Sequence, residues 1–265
     1  MRRIAIFGIT GRMGQTLIRA LHEPSPGFTL SGAIASAGSG RLGRDAAGEG
    51  PPTGVLITSD SKAGIRGAAV AVDFSLGSCV AAHAGDCAAA GVPMLIGTTG
   101  FDAAAFGVIK QAAGSIPVLI APNTSVGVAV VTQLAALAAV ALGTSYDVEI
   151  FEAHHRMKRD APSGTALALG EAIAGARGHT LGEVAVHDRT ALNAPRTPGS
   201  IGFSSLRAGD IVGEHTVTFA TAGERVEITH RATDRITFAR GALRAADWLA
   251  AQPAGLYGMK NVLGL

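Results

Sequence analysis

The first half of the chain alternates short apolar runs with helix-like segments, and this alternation constrains the fold more than any other feature. The apolar runs are Ile4–Phe7, Phe28–Ala35, Ala69–Phe74, Pro93–Ile96 and Ile116–Ile120. The helix-like segments between them are Gln15–His22, Ser78–Ala90 and a helix capped by Asp102 that extends to Ala113. Continuous apolar strands separated by helices are typical of a parallel sheet that is buried on both faces. The sequence therefore predicts a Rossmann-like, doubly wound α/β domain.

The pattern changes after a long apolar segment, Val126–Gly143. Tyr146–Ala153 alternates like a strand, a helix follows over Ser163–Ala174, and Val212–Ala232 resembles two strands joined at Ala222-Gly223. Antiparallel strands of this kind predict a second, α+β domain. A final amphipathic helix is expected over Thr237–Ala250. We therefore expect a dinucleotide-binding domain formed by residues 1–124 and 237–265, and a substrate-binding domain formed by residues 125–236.

Composition excludes several other classes of protein. The chain of 265 residues carries 22 Lys and Arg against 20 Asp and Glu, so it has no excess of positive charge to attract nucleic acid. Its two cysteines, Cys79 and Cys87, are too few for a disulfide framework and indicate a reducing compartment. The start of the chain lacks the apolar core of a signal peptide. We expect a cytoplasmic protein.

The uncharged segment Val126–Gly143 is close to the length of a membrane span. It is rich in alanine, contains Thr132 and Gln133 at its centre, and has no flanking aromatic belt. These features favour a helix that packs against a sheet, so no membrane partner is expected.

A glycine-rich turn, Gly8-Ile9-Thr10-Gly11-Arg12-Met13-Gly14, joins the first strand to the first helix. Glycines at this position allow a tight turn and close approach of a pyrophosphate, which would bind N–H groups at the start of the helix. The spacing differs from the commoner fingerprint because Thr10 stands where a glycine is usual. The alternative is a turn whose glycines serve packing alone.

The end of the second strand bears on the choice of dinucleotide. An acidic residue there would hold the ribose 2′-hydroxyl of NADH, but this strand ends in Ala35-Ser36. Ser36, with Arg41 and Arg44 in the following loop, could instead contact the 2′-phosphate of NADPH. This favours NADPH over NADH, although both arginines could equally be exposed loop charges without a ligand.

Two further loops follow later strands at the edge where open α/β sheets bind ligands. Gly97-Thr98-Thr99-Gly100 offers small residues near a nicotinamide ribose, and in Ala121-Pro122-Asn123-Thr124-Ser125 the side chain of Asn123 could hold the carboxamide. Either loop could also be simple turn chemistry.

The densest group of reactive side chains lies between Glu152 and Ala166. It contains the adjacent pair His154 and His155, then Lys158, and then Ser163-Gly164-Thr165 at the start of a helix. A histidine is a natural proton donor near neutral pH, a lysine attracts anions, and a helix N-terminus can bind a carboxylate. The segment predicts a site for an anionic small molecule with a proton donor beside it.

Other interpretations of this segment are less specific. Adjacent histidines on a strand point to opposite faces, so one could lie in the core and the other at the surface. Lys158 could belong to a solvated loop, and Ser163 could simply cap the helix. No metal site is expected, because the sequence has neither an H-E-x-x-H nor a C-x-x-C motif.

These motifs together resemble the 4-hydroxy-tetrahydrodipicolinate reductase family, also called dihydrodipicolinate reductase. The resemblance is carried by E-A-H-H-R-x-K-x-D-A-P-S-G-T-A from Glu152, by the G-x-x-G-R-M-G turn at Gly8, and by G-T-T-G-F at Gly97. It continues in N-x-S-V-G at Asn123, in Arg207–His215 and in Glu227–His230, so it covers nearly the whole chain.

The resemblance implies an enzyme of lysine and diaminopimelate synthesis that reduces a cyclic imine with NADH or NADPH. His154 matches the family's proton donor and Lys158 a second donor, while His155, Gly164 and Thr165 match positions that bind the dicarboxylate substrate. Cofactor contacts carry over to the ranges Gly8–Met13, Gly97–Thr99 and Ala121–Thr124. Similar members are homotetramers assembled through the sheet of the second domain. Two alternatives stay open: a dinucleotide-binding regulator without turnover, and a Rossmann reductase of another dicarboxylate.

Overall fold

A computed structural model describes residues 1–24, 27–190 and 193–265. Its backbone forms two compact units. The first unit contains Met1–Val126 and Arg235–Leu265, and the second contains Gly127–Asp234.

The first unit is built on a seven-stranded sheet in which neighbouring strands run parallel. The strands are β1 (Arg2–Phe7), β2 (Phe28–Ile34), β3 (Ile57–Thr58), β4 (Val70–Asp73), β5 (Met94–Ile96), β6 (Pro117–Ile120) and β12 (Gly255–Tyr257). Their order is β12-β6-β5-β4-β1-β2-β3, so the winding reverses between β1 and β4. This is the doubly wound order of dinucleotide-binding sheets, and it confirms the predicted Rossmann-like fold.

Helices cover this sheet in two groups. They are α1 (Arg12–Leu21), α2 (Ser61–Ile65), α3 (Val80–Ala90), α4 (Ala103–Ala113), α8 (Ile236–Leu249) and α9 (Met259–Leu263). α1 packs against α8, whereas α2, α3 and α4 pack in a row. The α2–α4 group buries Phe7, Met94 and Ile109. The predicted cap of α4 is confirmed, since the Asp102 carboxylate accepts a hydrogen bond from the Ala105 amide at 2.8 Å.

Several details differ from the prediction for this unit. α1 begins at Arg12 rather than Gln15, so Arg12 and Met13 lie in its first turn. β3, α2, β12 and α9 were not predicted, because strands of two or three residues and helices of five residues are too short to show a periodic pattern.

The second unit contains a five-stranded mixed sheet. Its strands are β7 (Asp147–His154), β8 (Ala185–Val186), β9 (Ile201–Arg207), β10 (Gly213–Thr221) and β11 (Glu224–Ala232), in the order β11-β10-β7-β9-β8. The predicted hairpin is confirmed, because β10 and β11 pair antiparallel around Ala222-Gly223. The rest of the sheet is mixed, since β7, β9 and β8 run parallel to one another. The long connection from β7 to β9 provides the crossover that parallel pairing requires.

Helices α5 (Val126–Leu142), α6 (Gly164–Ala176) and α7 (Leu181–Val184) accompany this sheet. Val131 and Ala135 of α5 join the core with Val148, Ile150 and Phe219 of the strands. By length and composition alone, Val126–Ser145 is a helix that could cross a membrane. Only one of its faces is buried, and the opposite face exposes leucine and valine side chains, namely Leu134, Leu137 and Val140.

Candidate functional site

The glycine-rich turn of the first unit is held by close backbone packing. Gly8 has a φ of +75°, and a Cβ atom on it would lie 2.4 Å from the carbonyl oxygen of Phe74. A Cβ atom on Gly14 would lie 2.5 Å from the Gly8 carbonyl oxygen. Packing is therefore sufficient to require glycine at both positions, as expected if the glycines of this turn serve packing.

The turn nevertheless leaves an anion site at the start of α1. The N-cap is Gly11, which supplies no side-chain hydrogen bond, and the first turn contains no acidic residue. Gly8, Thr10 and Gly11 line a cavity of about 400 Å³ at this end of the helix. Uncapped N–H groups and the positive end of the helix dipole suit a phosphate group.

The cavity continues along the end of β2 to one face of α3. Ser36, Ser59 and Ser61 line one part of it, and Cys79 and His83 another. Asp86 also lines the cavity, and its carboxylate accepts a hydrogen bond from the Ser61 hydroxyl. Among the described residues that line this cavity, none is Arg or Lys.

Neither loop arginine lines the cavity that contains Ser36. Arg41 donates to the carbonyl oxygen of Ala46 at 3.3 Å and lines a second cavity of about 820 Å³ together with Gln15 and Gly48. Arg44 is exposed. The serine hydroxyls, rather than these guanidinium groups, are therefore the polar groups at the end of β2.

The two later loops are anchored at the carboxyl edge of the same sheet. The Gly97 amide donates to the Asp73 carbonyl oxygen at 2.9 Å, and the buried Thr98 hydroxyl donates to the Asp73 carboxylate at 2.8 Å. Thr99 is exposed.

The second loop is fixed in the same way. The Ala121 amide donates to the Ile96 carbonyl oxygen at 2.9 Å, and the Thr124 hydroxyl donates to the Phe238 carbonyl oxygen at 2.7 Å. The Asn123 side-chain oxygen accepts from the Ser125 amide at 2.9 Å, and Pro122 is exposed. The threonine side chains thus hold the loops, and the exposed parts are available to a ligand.

In the second unit, strand pairing assembles the predicted catalytic group. Glu152 and His154 are two residues apart on β7 and therefore share one face of the sheet. Arg207 on β9 lies opposite His154, and His215 on β10 lies opposite Glu152. Neighbouring strands thus bring together side chains that are far apart in the sequence.

A buried carboxylate lies at the centre of this group. Glu152 is 1% exposed and accepts two hydrogen bonds from the Arg207 guanidinium, both at 2.7 Å. It also accepts from the Ser163 amide at 3.2 Å. Burial raises the pKa of Glu152, but the hydrogen bonds from Arg207 and its other donors outweigh burial and hold it at about 2.

The ionised carboxylate fixes the tautomer of His154. Glu152 can only accept a hydrogen bond, so the Nδ1 atom of His154, 2.6 Å away, carries the proton. Nε2 is therefore the ring atom that can exchange a proton with a ligand. Burial lowers the pKa of His154, while the Glu152 carboxylate opposes that effect.

A second histidine, His215, packs against the ring of His154. His215 is 4% exposed, and its ring meets the His154 ring edge-on with centroids 5.2 Å apart. Its Nε2 lies 2.9 Å from the Ser163 hydroxyl. Burial, and then the charge on His154, lower the pKa of His215 to about 3, so this ring is neutral and packs against His154 without competing for its proton.

The remaining predicted residues lie on the loop and helix that follow β7. Lys158 Nζ is 2.8 Å from both carboxylate oxygens of Asp160. Gly164 is exposed at the start of α6, while His155 and Thr165 are half-buried. Ser163 is buried, and its hydroxyl caps the helix by accepting from the Ala166 amide at 3.2 Å.

No cluster of three or more potential metal-binding side chains is present in the described parts of the chain. Arg207, His215 and the role of Glu152 were not predicted as parts of the site. The alternation of Glu152 and His154 along a strand was a usable signal, since residues two apart share a face. The partners on β9 and β10 could be found only from the strand register.

Comparisons with known proteins agree with this fold and these motifs. The family model described as "Dihydrodipicolinate reductase, N-terminus" matches residues 2–124, and its C-terminal counterpart matches residues 127–263. The chain is 49% identical to the 4-hydroxy-tetrahydrodipicolinate reductase of Thiobacillus denitrificans, over 99% of this chain and 98% of that protein. It is 48% identical to the enzyme of the same name from Anaeromyxobacter dehalogenans, over 100% and 98% of the two chains.

A solved structure shares the fold. The dipicolinate-bound dihydrodipicolinate reductase from Paenisporosarcina sp. TG-14 superposes with a TM-score of 0.75 at 24% identity, covering 98% of this chain and 99% of that one. Both halves of the chain and its full length therefore match the same group of proteins. The chain belongs to the dihydrodipicolinate reductase family of NAD(P)H-dependent oxidoreductases.

Proposed function

We propose that the chain reduces 4-hydroxy-tetrahydrodipicolinate to tetrahydrodipicolinate and water with NADPH, using His154 as the proton donor and Lys158 as a second donor. The reaction and the use of a nicotinamide dinucleotide follow from membership of the family. The observation that supports the residue roles is that an ionised carboxylate holds the His154 imidazole at the end of β7, directly before the connection that carries Lys158.

The first unit suits the dinucleotide. The uncapped start of α1 would hold the pyrophosphate, and the Gly8–Met13 turn would surround it. The exposed parts of the Gly97–Thr99 and Ala121–Thr124 loops would contact the nicotinamide half. When bound, the cofactor supplies a hydride from its nicotinamide ring.

NADPH is proposed because no carboxylate ends β2. Ser36 occupies that region, and the hydroxyls of Ser59 and Ser61 line the same cavity. The hydroxyls of Ser36 and Ser59 would donate hydrogen bonds to a 2′-phosphate, whereas an acidic residue at the end of β2 would repel it. The Ser61 hydroxyl already donates to Asp86 on α3.

The substrate site is proposed at the start of α6. The exposed backbone of Gly164, with Thr165 and His155, would bind one carboxylate of the substrate. The relative from Paenisporosarcina carries dipicolinate, a planar dicarboxylate, which supports a site of this charge. A substrate carboxylate would compete with Asp160 for the ammonium group of Lys158.

Proton transfer follows from the geometry around His154. An anionic substrate beside the ring raises its pKa, so the ring takes up a proton at Nε2. Glu152 stabilises the resulting imidazolium through the Nδ1 hydrogen bond. Once the 4-hydroxyl group has left as water and the ring has been reduced, His154 can donate the Nε2 proton to the ring and return to its neutral form.

We also propose a cytoplasmic homotetramer that assembles through the second sheet. Phe151 on β7 and Leu206 on β9 lie on the face opposite the helices, and they are 41% and 42% exposed. Large apolar side chains exposed on one sheet face are typical of an interface. Size-exclusion chromatography with light scattering tests this, and a monomer would contradict it.

The function is tested by following nicotinamide absorbance when the purified chain meets freshly made product of dihydrodipicolinate synthase. We expect turnover with NADPH and a lower kcat/KM with NADH. Binding of NADPH without turnover would indicate a regulator instead. A strong preference for NADH would contradict the interpretation of Ser36.

A further inference from the structure

A second buried acid–histidine pair lies in the first unit, outside the group around His154. Asp73, at the end of β4, is fully buried. Its carboxylate accepts hydrogen bonds from the Ser75 amide at 2.8 Å, from the Thr98 hydroxyl at 2.8 Å and from His83 Nδ1 at 2.7 Å. Burial raises the pKa of Asp73, but the hydrogen bonds from His83 and Ser75 outweigh it and leave the pKa below its usual value. The group is thus an ionised carboxylate that only accepts.

The carboxylate fixes the orientation of the His83 ring. Because Asp73 only accepts, the Nδ1 atom of His83 carries a proton and donates it. The ring also stacks on Phe7, with centroids 4.1 Å apart and an interplanar angle of 16°. One nitrogen and one face of the ring are therefore committed to the protein, and Nε2 is the polar atom that remains.

The pair connects several parts of the dinucleotide cavity. His83 lines the cavity together with Gly8 and Gly11. Phe7, which stacks on His83, directly precedes Gly8 in the sequence. Asp73 also receives the Thr98 hydroxyl, so one carboxylate anchors both the histidine and the loop proposed to contact the nicotinamide half.

We infer that His83 is a cofactor-positioning residue whose Nε2 atom accepts a hydrogen bond from the adenosine half of the dinucleotide. Asp73 fixes the positions of His83 and Thr98 through its hydrogen bonds to both side chains. This inference rests on the proposed cofactor cavity. Nε2 of a neutral imidazole that is protonated at Nδ1 is an acceptor. In NADPH the 2′-oxygen of the adenosine ribose carries the phosphate, so the donors of this half are the ribose 3′-hydroxyl and the 6-amino group of adenine.

The test is fluorescence titration of NADPH into His83→Asn. The asparagine amide can still donate to Asp73 in place of Nδ1, but it lacks a group at the position of Nε2. We expect the Kd for NADPH to rise about tenfold, the scale of one lost hydrogen bond. The KM for NADPH should rise in proportion with little change in kcat, because the contact is made in ground and transition states alike. The Kd for dipicolinate should not change, whereas the Tm should fall slightly because the stack on Phe7 is lost.

Two further variants keep the test decisive. His83→Phe retains the stack on Phe7 but leaves the buried Asp73 carboxylate without this donor, so both the NADPH affinity and the Tm should fall. His22→Asn serves as the matched control, because His22 lies at the end of α1 and lines the second cavity. It should bind NADPH as the wild type does.

Nicotinamide hypoxanthine dinucleotide phosphate, which lacks the 6-amino group, separates the two sources of the hydrogen bond. If the amino group is the donor, the wild type binds this analogue more weakly than NADPH and His83→Asn does not discriminate. If a ribose hydroxyl is the donor, His83→Asn weakens binding of both. If the Kd of His83→Asn for NADPH equals that of the wild type, the inference is overturned, whatever happens to the Tm. Because binding needs no turnover, failure of the proposed reaction would show separately as absent NADPH oxidation in the wild type.

Discussion

Replacing Glu152 with glutamine should destabilise the second unit by an amount that follows from the environment of its carboxylate. The side chain is 1% exposed and paired with Arg207 and His154. Its pKa is about 2 rather than 4.5. Since one pKa unit corresponds to about 1.4 kcal/mol, the ionised form contributes about 3 kcal/mol to the free energy of unfolding near neutral pH. The free energy of unfolding of Glu152→Gln should be lower by about this amount, because the substitution leaves Arg207 without its buried, charged partner.

The pH dependence provides a second check on the same reasoning. The pKa of Glu152 is lower in the folded state, so its contribution is complete above the unfolded value of 4.5 and is lost as the pH falls toward 2. The difference between wild type and Glu152→Gln should therefore be constant from about pH 7 to 6 and smaller by about 1 kcal/mol near pH 4. Other carboxylates titrate in both proteins and largely cancel in this difference.

Native-state hydrogen exchange of amides in β7 and β10 measures this quantity within the second unit. Glu171→Gln is the matched control, because Glu171 is exposed on α6 of the same unit. The control should change the free energy of unfolding by less than about 0.5 kcal/mol. A loss below about 1 kcal/mol in Glu152→Gln, or a difference that does not shrink with acid, would refute the assignment of Glu152 as an ionised, paired group.

Three further predictions concern other parts of the molecule. A maleimide should label Cys79, which lines the dinucleotide cavity, but not Cys87, which is buried and has a raised pKa. Bound NADPH should protect Cys79 from labelling. Labelling of Cys79 that NADPH does not affect would contradict binding of the dinucleotide in this cavity. The affinity for dipicolinate should fall as the pH rises above the lowered pKa of His154, because binding raises that pKa and takes up a proton. His154→Gln should flatten this slope, and equal heats of binding in two buffers of different ionisation enthalpy would contradict proton uptake. Gly8→Ala should lower the free energy of unfolding by at least about 2 kcal/mol more than Gly43→Ala. Both glycines have positive φ, but only at Gly8 would the new Cβ atom clash with a backbone oxygen. Equal losses of stability in urea denaturation would contradict this clash.

The sequence predicted the first sheet well because its strands are continuous apolar runs between helices. Short elements escaped this pattern, as with β3 and α2. β9 also escaped, because Ile201–Arg207 places two serines among its apolar residues and lacks regular alternation. The mixed order of the second sheet depends on a crossover whose direction is not encoded in local periodicity.

The residues of the candidate site likewise fall into those that the sequence predicted and those that it did not. The segment from Glu152 to Thr165 could be singled out because its reactive residues are close in sequence. The bidentate contact from Arg207 and the edge-on contact from His215 depend on strand register across long connections. Loop conformation explains the other difference, since Arg41 was grouped with Ser36 by proximity in sequence but binds the Ala46 carbonyl oxygen.

Proton transfer by His154 is tested by measuring kcat of His154→Ala with saturating NADPH and freshly made synthase product. Loss of a general acid typically lowers a rate by about 10²–10⁴-fold. We expect kcat to fall by this factor while the Kd for NADPH changes by less than about twofold, because the dinucleotide cavity is lined by other residues. A His154→Ala enzyme that retains the wild-type kcat would show that another group supplies the proton.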